Sequence, residues 1–222
     1  TNLQKWKTSE DIDLLKGLFI INKFLTPELN FVSVFSFFDR IKRNICVDIN
    51  NLSPIEQVRL MNFLLFQNYN FKVNFDETEL NAQTLDKAFS KRATSSFMMT
   101  VLYYLFAKKL GIPFYLVRNR NVLLLGYFSA EKALAFKGSS YPKKLNYDFF
   151  VNPSDKGFIL TIEDIRISVN NEKNKLDKDF LIVTASEVIN ILIDKILFAA
   201  KKQNLYHYEE YFSKFKEIIS IS

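Results

Sequence analysis

One stretch decides much of the architecture. Ser95 to Ala107 runs 13 residues without a charge, and Lys108-Lys109-Leu110-Gly111-Ile112-Pro113 closes it. A helix with no polar side must be buried all round, so the rest of the chain is expected to wrap around it. Gly111 suits a left-handed C-cap, and Pro113 two residues later blocks any continuation. The run falls short of the ~18 residues of a membrane span. The next apolar run, Val188 to Ala200, is interrupted by Asp194 and Lys195.

Periodicity divides the chain around that helix. Asp11 to Leu25 carries Ile12, Leu15, Leu18, Phe19 and Leu25 at helical spacing. Thr26-Pro27-Glu28 reads as a stop and a new start, with Thr26 as N-cap and Pro27 at the first helical position. That second helix is expected to reach about Arg43, with Phe31, Val34, Phe35, Phe38 and Ile41 on its apolar side. Ser53-Pro54-Ile55-Glu56 is a capping box that opens a third helix through Met61, Leu64, Leu65 and Gln67. Asn68 to Gln83 is polar and reads as a long connection, and Thr84 to Lys91 as a short helix. After Pro113 the period changes to that of strands: Phe114 to Val117, Val122 to Phe128, Ala133 to Phe136 and Phe149 to Val151. Gly138 to Asn146 reads as an insert, and Asn170 to Asp179 as a charged linker. Thr161 to Asp164 opens one more helix. Thr184-Ala185-Ser186-Glu187 is a second capping box, followed by helices over about Ala185–Gln203 and Tyr208–Ile219. Helices, one long helix, antiparallel strands and a closing helical hairpin give an α+β fold.

Composition limits the chemistry. The chain of 222 residues holds one Cys and one His, so most zinc sites and Cys/His hydrolase mechanisms are unavailable to it. No metal or other cofactor is expected. Five glycines, against a usual ~7% of residues, argue against Gly-rich phosphate loops. Cys46, among Ile45, Val47 and Ile49, reads as a small buried hydrophobe and fits a reducing compartment. Thr1 to Lys5 carries no signal-peptide core. The expectation is a soluble cytoplasmic protein with no membrane partner.

Charge is uneven. Lys87, Lys91, Arg92, Lys108, Lys109, Arg118, Arg120, Lys132, Lys137, Lys143 and Lys144 face one acid, Glu131, so the segment 87–144 carries 11 − 1 = +10. The whole chain carries +6, which leaves 6 − 10 = −4 elsewhere. A segment this basic attracts polyanions, nucleic acid among them.

Leu85 to Arg92, the long apolar helix, and Ala107-Lys108-Lys109-Leu110-Gly111-Ile112-Pro113 together resemble bacterial transglutaminase-like proteins of the SirB-one type. Phe150-Val151-Asn152-Pro153-Ser154-Asp155 through Asp164 carries the same resemblance. Ser53 through Phe66 is similar to the family's N-terminal helix, and Thr184 onward to its tetratricopeptide-like tail. The resemblance implies a papain-like transglutaminase core over 71–170, an N-terminal helical region over 1–70 and a C-terminal helical hairpin over 180–222. It also implies a Cys at the start of the central helix, a His on the second strand and an Asp on the third. In this sequence those positions are Ser96, counted back from Gly111, Asn121 before Val122-Leu123, and Asn152 before Pro153. All three family groups are replaced.

A hydroxyl without a base is a poor nucleophile, and a neutral amide accepts no proton. The expectation is therefore a catalytically inactive member acting as a regulatory or interaction module with a protein partner. Arg118 and Arg120, with Asn121, would make the old groove a candidate anion or partner site. The rival expectations are nucleic-acid or polyanion binding through 87–144 and, behind it, a residual hydrolase using Ser96. His207, the only imidazole, lies at the start of the last helix.

Overall fold

The computed structural model describes residues 2–9, 13–45, 48–73, 76–119, 122–129, 147–170 and 180–220. The expected strand Ala133–Phe136, the insert after Gly138, most of the linker from Asn170 and the surroundings of Cys46 lie outside them. The architecture is α+β, with helices preceding and following an antiparallel sheet. Among the described residues, no helix is long and apolar enough to cross a membrane. The chain separates into two compact units: residues 1–37, 69–98 and 184–222 form one, and 38–68 and 99–183 the other.

The first unit is built on helices. α1 (Asn2–Lys7), α2 (Leu14–Leu25) and the start of α3 (Phe31–Arg43) come first, while α4 (Pro54–Asn62) belongs to the second unit. α5 (Leu85–Lys91) follows a short 3-10 turn, Leu80–Gln83, and α8 (Ala185–Lys202) and α9 (Tyr206–Ser220) complete the unit. β1 (Lys72–Val73) and β2 (Ala93–Thr94) pair in parallel. Leu18 and Ile21 of α2 and Val188, Ile189, Leu192 and Ile193 of α8 are fully buried. Gly17 permits this packing, because a Cβ there would stand 2.6 Å from the Trp6 ring and 3.2 Å from Ile189. Asn22 is buried inside α2 without penalty: its Nδ2 donates to the Leu18 carbonyl at 2.9 Å and its Oδ1 accepts the Leu85 amide at 2.7 Å. The Thr184–Glu187 capping box forms as expected at the head of α8.

The second unit holds the sheet. β3 (Phe114–Asn119), β4 (Val122–Tyr127), β5 (Phe149–Asn152), β6 (Phe158–Leu160) and β7 (Leu181–Ile182) align in the order β6-β5-β4-β3-β7, every pair antiparallel. Both faces are covered. Phe114 meets Tyr103 of α6 (Ser96–Leu110) at 6.2 Å and Tyr127 at 5.5 Å, and Tyr127 stacks on Phe149 at 4.8 Å. On the opposite face Val117, Leu124, Phe128, Tyr147, Phe150 and Ile165 of α7 (Ile162–Asn170) form a second cluster. This double burial explains why β3 and β4 are apolar without a clean alternation. α6 ends as expected: Gly111 has φ +79°, the Ile112 amide donates to the Ala107 carbonyl and the Gly111 amide to that of Lys108.

Several expectations are corrected. α3 begins at Phe31, not near Thr26. The Thr26 amide still bonds the Asn22 carbonyl, so Thr26 ends α2, and Asn30 caps α3 by accepting the Val32 amide at 2.8 Å. Phe31 and Phe35 are partly exposed, while Phe37 takes the buried place. The third helix is regular only over Pro54–Asn62 and passes into a π-turn, Phe63–Asn68. β6 and β7, two edge strands of three and two residues, were too short to show a period.

The start of the central helix and the β5 turn

The first turn of α6 is fixed from the residues before it. Thr94 Oγ1 donates to the Ala82 carbonyl at 3.1 Å, and the Ser95 amide donates to the same carbonyl at 2.9 Å. Ser95 Oγ accepts the Met98 amide at 3.2 Å and donates to Gln83 Oε1 at 2.9 Å. Ser95 is thus the N-cap, satisfying one orphan amide of the helix. Thr94, Ser95 and Gln83 are all buried. Ser96 is the first helical residue and is half-buried. Of the two adjacent serines, Ser95 is buried and caps the helix, and Ser96 is the more exposed.

An ion pair stands beside this turn. Lys195 Nζ pairs with Glu77 Oε2 at 2.8 Å and lies 5.6 Å from the centre of the Phe97 ring. His207 stands exposed on α9, its ring against Tyr208 at 4.0 Å. Further along α6, burial pushes the Tyr103 phenol far above its ordinary range, so it stays protonated.

In the second unit, Asn152 closes β5. Its Oδ1 accepts the Ser154 amide at 3.1 Å and caps the 3-10 turn Pro153–Asp155. The Gly157 amide returns to the Asn152 carbonyl at 3.0 Å. The amide side chain serves here as a turn-forming acceptor. Arg118 is exposed on β3, opposite Leu123 on one side and Leu181 on the other. Arg120 and Asn121 lie outside the described residues.

The basic segment is partly engaged. Lys87 pairs with Asp86 at 3.4 Å and Lys109 with Asp39 at 2.5 Å. The Arg92 guanidinium lies over Phe37 at 4.4 Å and Phe71 at 5.2 Å. Arg120, Lys132, Lys137, Lys143 and Lys144 lie outside the described residues. Among the described residues there is no group of three or more His, Cys, Asp or Glu placed to hold a metal ion.

Sequence reasoning placed Ser96 and overlooked its neighbour. A Thr-Ser-Ser run directly before a long apolar helix is a capping signal, and it would have singled out Ser95.

Residues 34–194 match a family model described as the transglutaminase-like superfamily. The match takes in Ser96, Asn121 and Asn152 and ends inside α8. No curated protein and no solved structure matches the chain.

Proposed function

The chain belongs to the transglutaminase-like superfamily, and from that membership we propose that it is a catalytically inactive member working as a regulatory or interaction module. The observation that carries this reading is the identity of three residues. Where the family resemblance implies Cys, His and Asp, this chain has Ser96, Asn121 and Asn152. A serine hydroxyl titrates far above neutral pH and needs a base to attack a carbonyl. Asn121 supplies none, and the chain's one imidazole, His207, belongs to a different element. Removing triad groups costs several orders of magnitude in rate. The finer assignment extends the same reading: a SirB-one type protein, cytoplasmic, whose closing helices α8 and α9 are a tetratricopeptide-like tail.

The test is turnover. The wild-type chain and Ser96→Ala are incubated with fluorogenic peptide amides and thioesters and with a serine-reactive fluorophosphonate. The expected result is no hydrolysis above buffer and no labelling for either protein. Hydrolysis by the wild type that Ser96→Ala abolishes overturns the reading in favour of a residual serine hydrolase.

A second reading, polyanion binding, is favoured by the +10 charge of 87–144. It ranks behind because Lys87, Arg92 and Lys109 already have partners inside the fold. Fluorescence anisotropy with single-stranded RNA and duplex DNA decides it: real phosphate contacts give binding that weakens steeply with salt.

A further inference from the structure

α1 and α2 leave a groove of about 540 Å³ between them, which Phe31 at the start of α3 also lines. Its lining includes Lys5, Trp6, Lys16, Phe19, Ile20 and Phe31. The spacing explains the arrangement. Lys5 and Trp6 are adjacent in α1, Trp6 turned to the interior and Lys5 exposed, while Lys16, Phe19 and Ile20 stand at i, i+3 and i+4 and share one face of α2. The floor is the Trp6 ring, held by its Nε1 donating to the Asp13 carbonyl at 2.7 Å. From there an aromatic strip continues outward. Phe19 meets Phe31 at 5.0 Å, and Phe31 stacks on Phe35 at 5.9 Å. Phe31 is 37% exposed, Phe35 42% and the adjacent Val32 68%.

The lysines of α1 and α2 fall into two kinds. Lys7 Nζ donates to the Ile218 and Ile219 carbonyls, and Lys23 Nζ to those of Pro27 and Leu29. Lys5 and Lys16, at the groove, are exposed and make no side-chain bond among the described residues. The apolar channel is therefore flanked by two uncommitted ammonium groups.

We infer that this groove docks an acidic amphipathic helix of a partner protein. The occupant follows from three features. The channel is concave, which suits a protruding ridge and not a flat lipid surface. Its rings step by 5.0 and 5.9 Å, close to the ~5.4 Å rise of one helical turn, so apolar side chains one turn apart would meet successive rings. Lys5 and Lys16 complement carboxylates along the edges of such a helix. The inference rests on the interaction reading above and gives that reading a surface and a partner chemistry.

Trp6 is the chain's one tryptophan, so the groove carries its own reporter. The probe is a synthetic helix of about 18 residues, long enough to hold helix in isolation, with Leu and Phe on one face, Glu on the other and no Trp. Added to the full chain, it is expected to shift Trp6 emission saturably. The same peptide with every Glu changed to Lys is expected to bind about tenfold more weakly or worse. The double variant Lys5→Glu, Lys16→Glu should reverse that preference, and both positions are exposed, so folding is not at stake. No saturable shift with the acidic helix, or a preference indifferent to the charge reversal, overturns the inference. So does tighter binding of phosphatidylcholine–phosphatidylglycerol vesicles, which assigns the face to a membrane, or of oleate, which assigns it to a small amphiphile. Self-association that Phe31→Glu abolishes, without helix binding, assigns it to a second copy and likewise overturns it. None of these results bears on the turnover assay, so the groove and the inactive-site reading fail separately.

Discussion

The side-chain amide of Asn62 occupies the space that a Cβ on Gly157 would need. Such an atom would stand 1.8 Å from Asn62 Oδ1. Gly157 also has φ +74°, a conformation other residues adopt at a cost. Asn62 in turn holds the turn in place: Nδ2 donates to the Gly157 carbonyl at 3.0 Å, and Oδ1 accepts the buried Tyr103 hydroxyl at 2.9 Å. Gly157→Ala is expected to destabilise the protein by about 2 kcal/mol or more, combining left-handed strain of ~1–2 kcal/mol with the clash. Urea unfolding checks it. In an Asn62→Ala background the clash is gone and only the strain should remain, so the two changes are expected to be non-additive.

Thr184→Ala removes the side chain that caps α8. Its Oγ1 accepts the Glu187 amide at 3.3 Å, while Glu187 bonds the Thr184 amide at 2.7 Å. The expected loss is about 1 kcal/mol in chemical denaturation. Thr184→Asn, another good cap, should recover most of it.

Acid should weaken the fold through its helix starts. Glu56 is held below its ordinary value by the Ser53 hydroxyl and then by the Ser53 amide, and Asp164 in the same way by Thr161. A depressed carboxylate contributes stability above its unfolded value, near pH 4.5 for Glu and 3.8 for Asp, and loses it as pH falls through the folded one. Melting temperature should therefore drop below about pH 4.5, and Glu56→Gln should reduce the steepness of that drop.

Alkali acts through Tyr103 and Tyr147, whose phenols are pushed up chiefly by burial. A raised phenol contributes stability that is intact below its unfolded value of 10 and is lost as pH rises toward the folded one. Absorbance at alkaline pH should show two slow tyrosines ionising together with unfolding. The Tyr147 hydroxyl is buried without a hydrogen-bond partner among the described residues. Tyr147→Phe is therefore expected to leave stability unchanged or raise it in a thermal melt.

The sequence carried the fold wherever a signal was local. Both capping boxes, the Gly111 stop and the apolar α6 were legible because each is written within a few consecutive residues. The start of α3 was misjudged because Thr-Pro-Glu is a sound N-cap pattern, and only the turn in which the Leu29 amide bonds the Thr26 carbonyl displaces it. β7 depends on a partner distant in the chain, Val117–Arg118, and short edge strands such as β6 and β7 carry no period of their own. At the candidate site, Ser96 could be counted from Gly111, but the Gln83 bond to Ser95 spans 12 residues and no local pattern announces it. The groove was equally hidden, since it arises from two helices meeting at Gly17 and Trp6.

The first unit is assembled from three separate stretches of chain, the last of them beginning at residue 184. The apolar faces of α1 and α2 are therefore synthesised well before Val188, Ile189 and Phe212, which complete their core. Until then Leu18 and Ile21 have nothing to bury them on that side. Apolar surface exposed in this way makes a partly synthesised chain prone to aggregate. A premature stop before α8 would leave the apolar faces of α1 and α2 exposed, although their own sequence is intact.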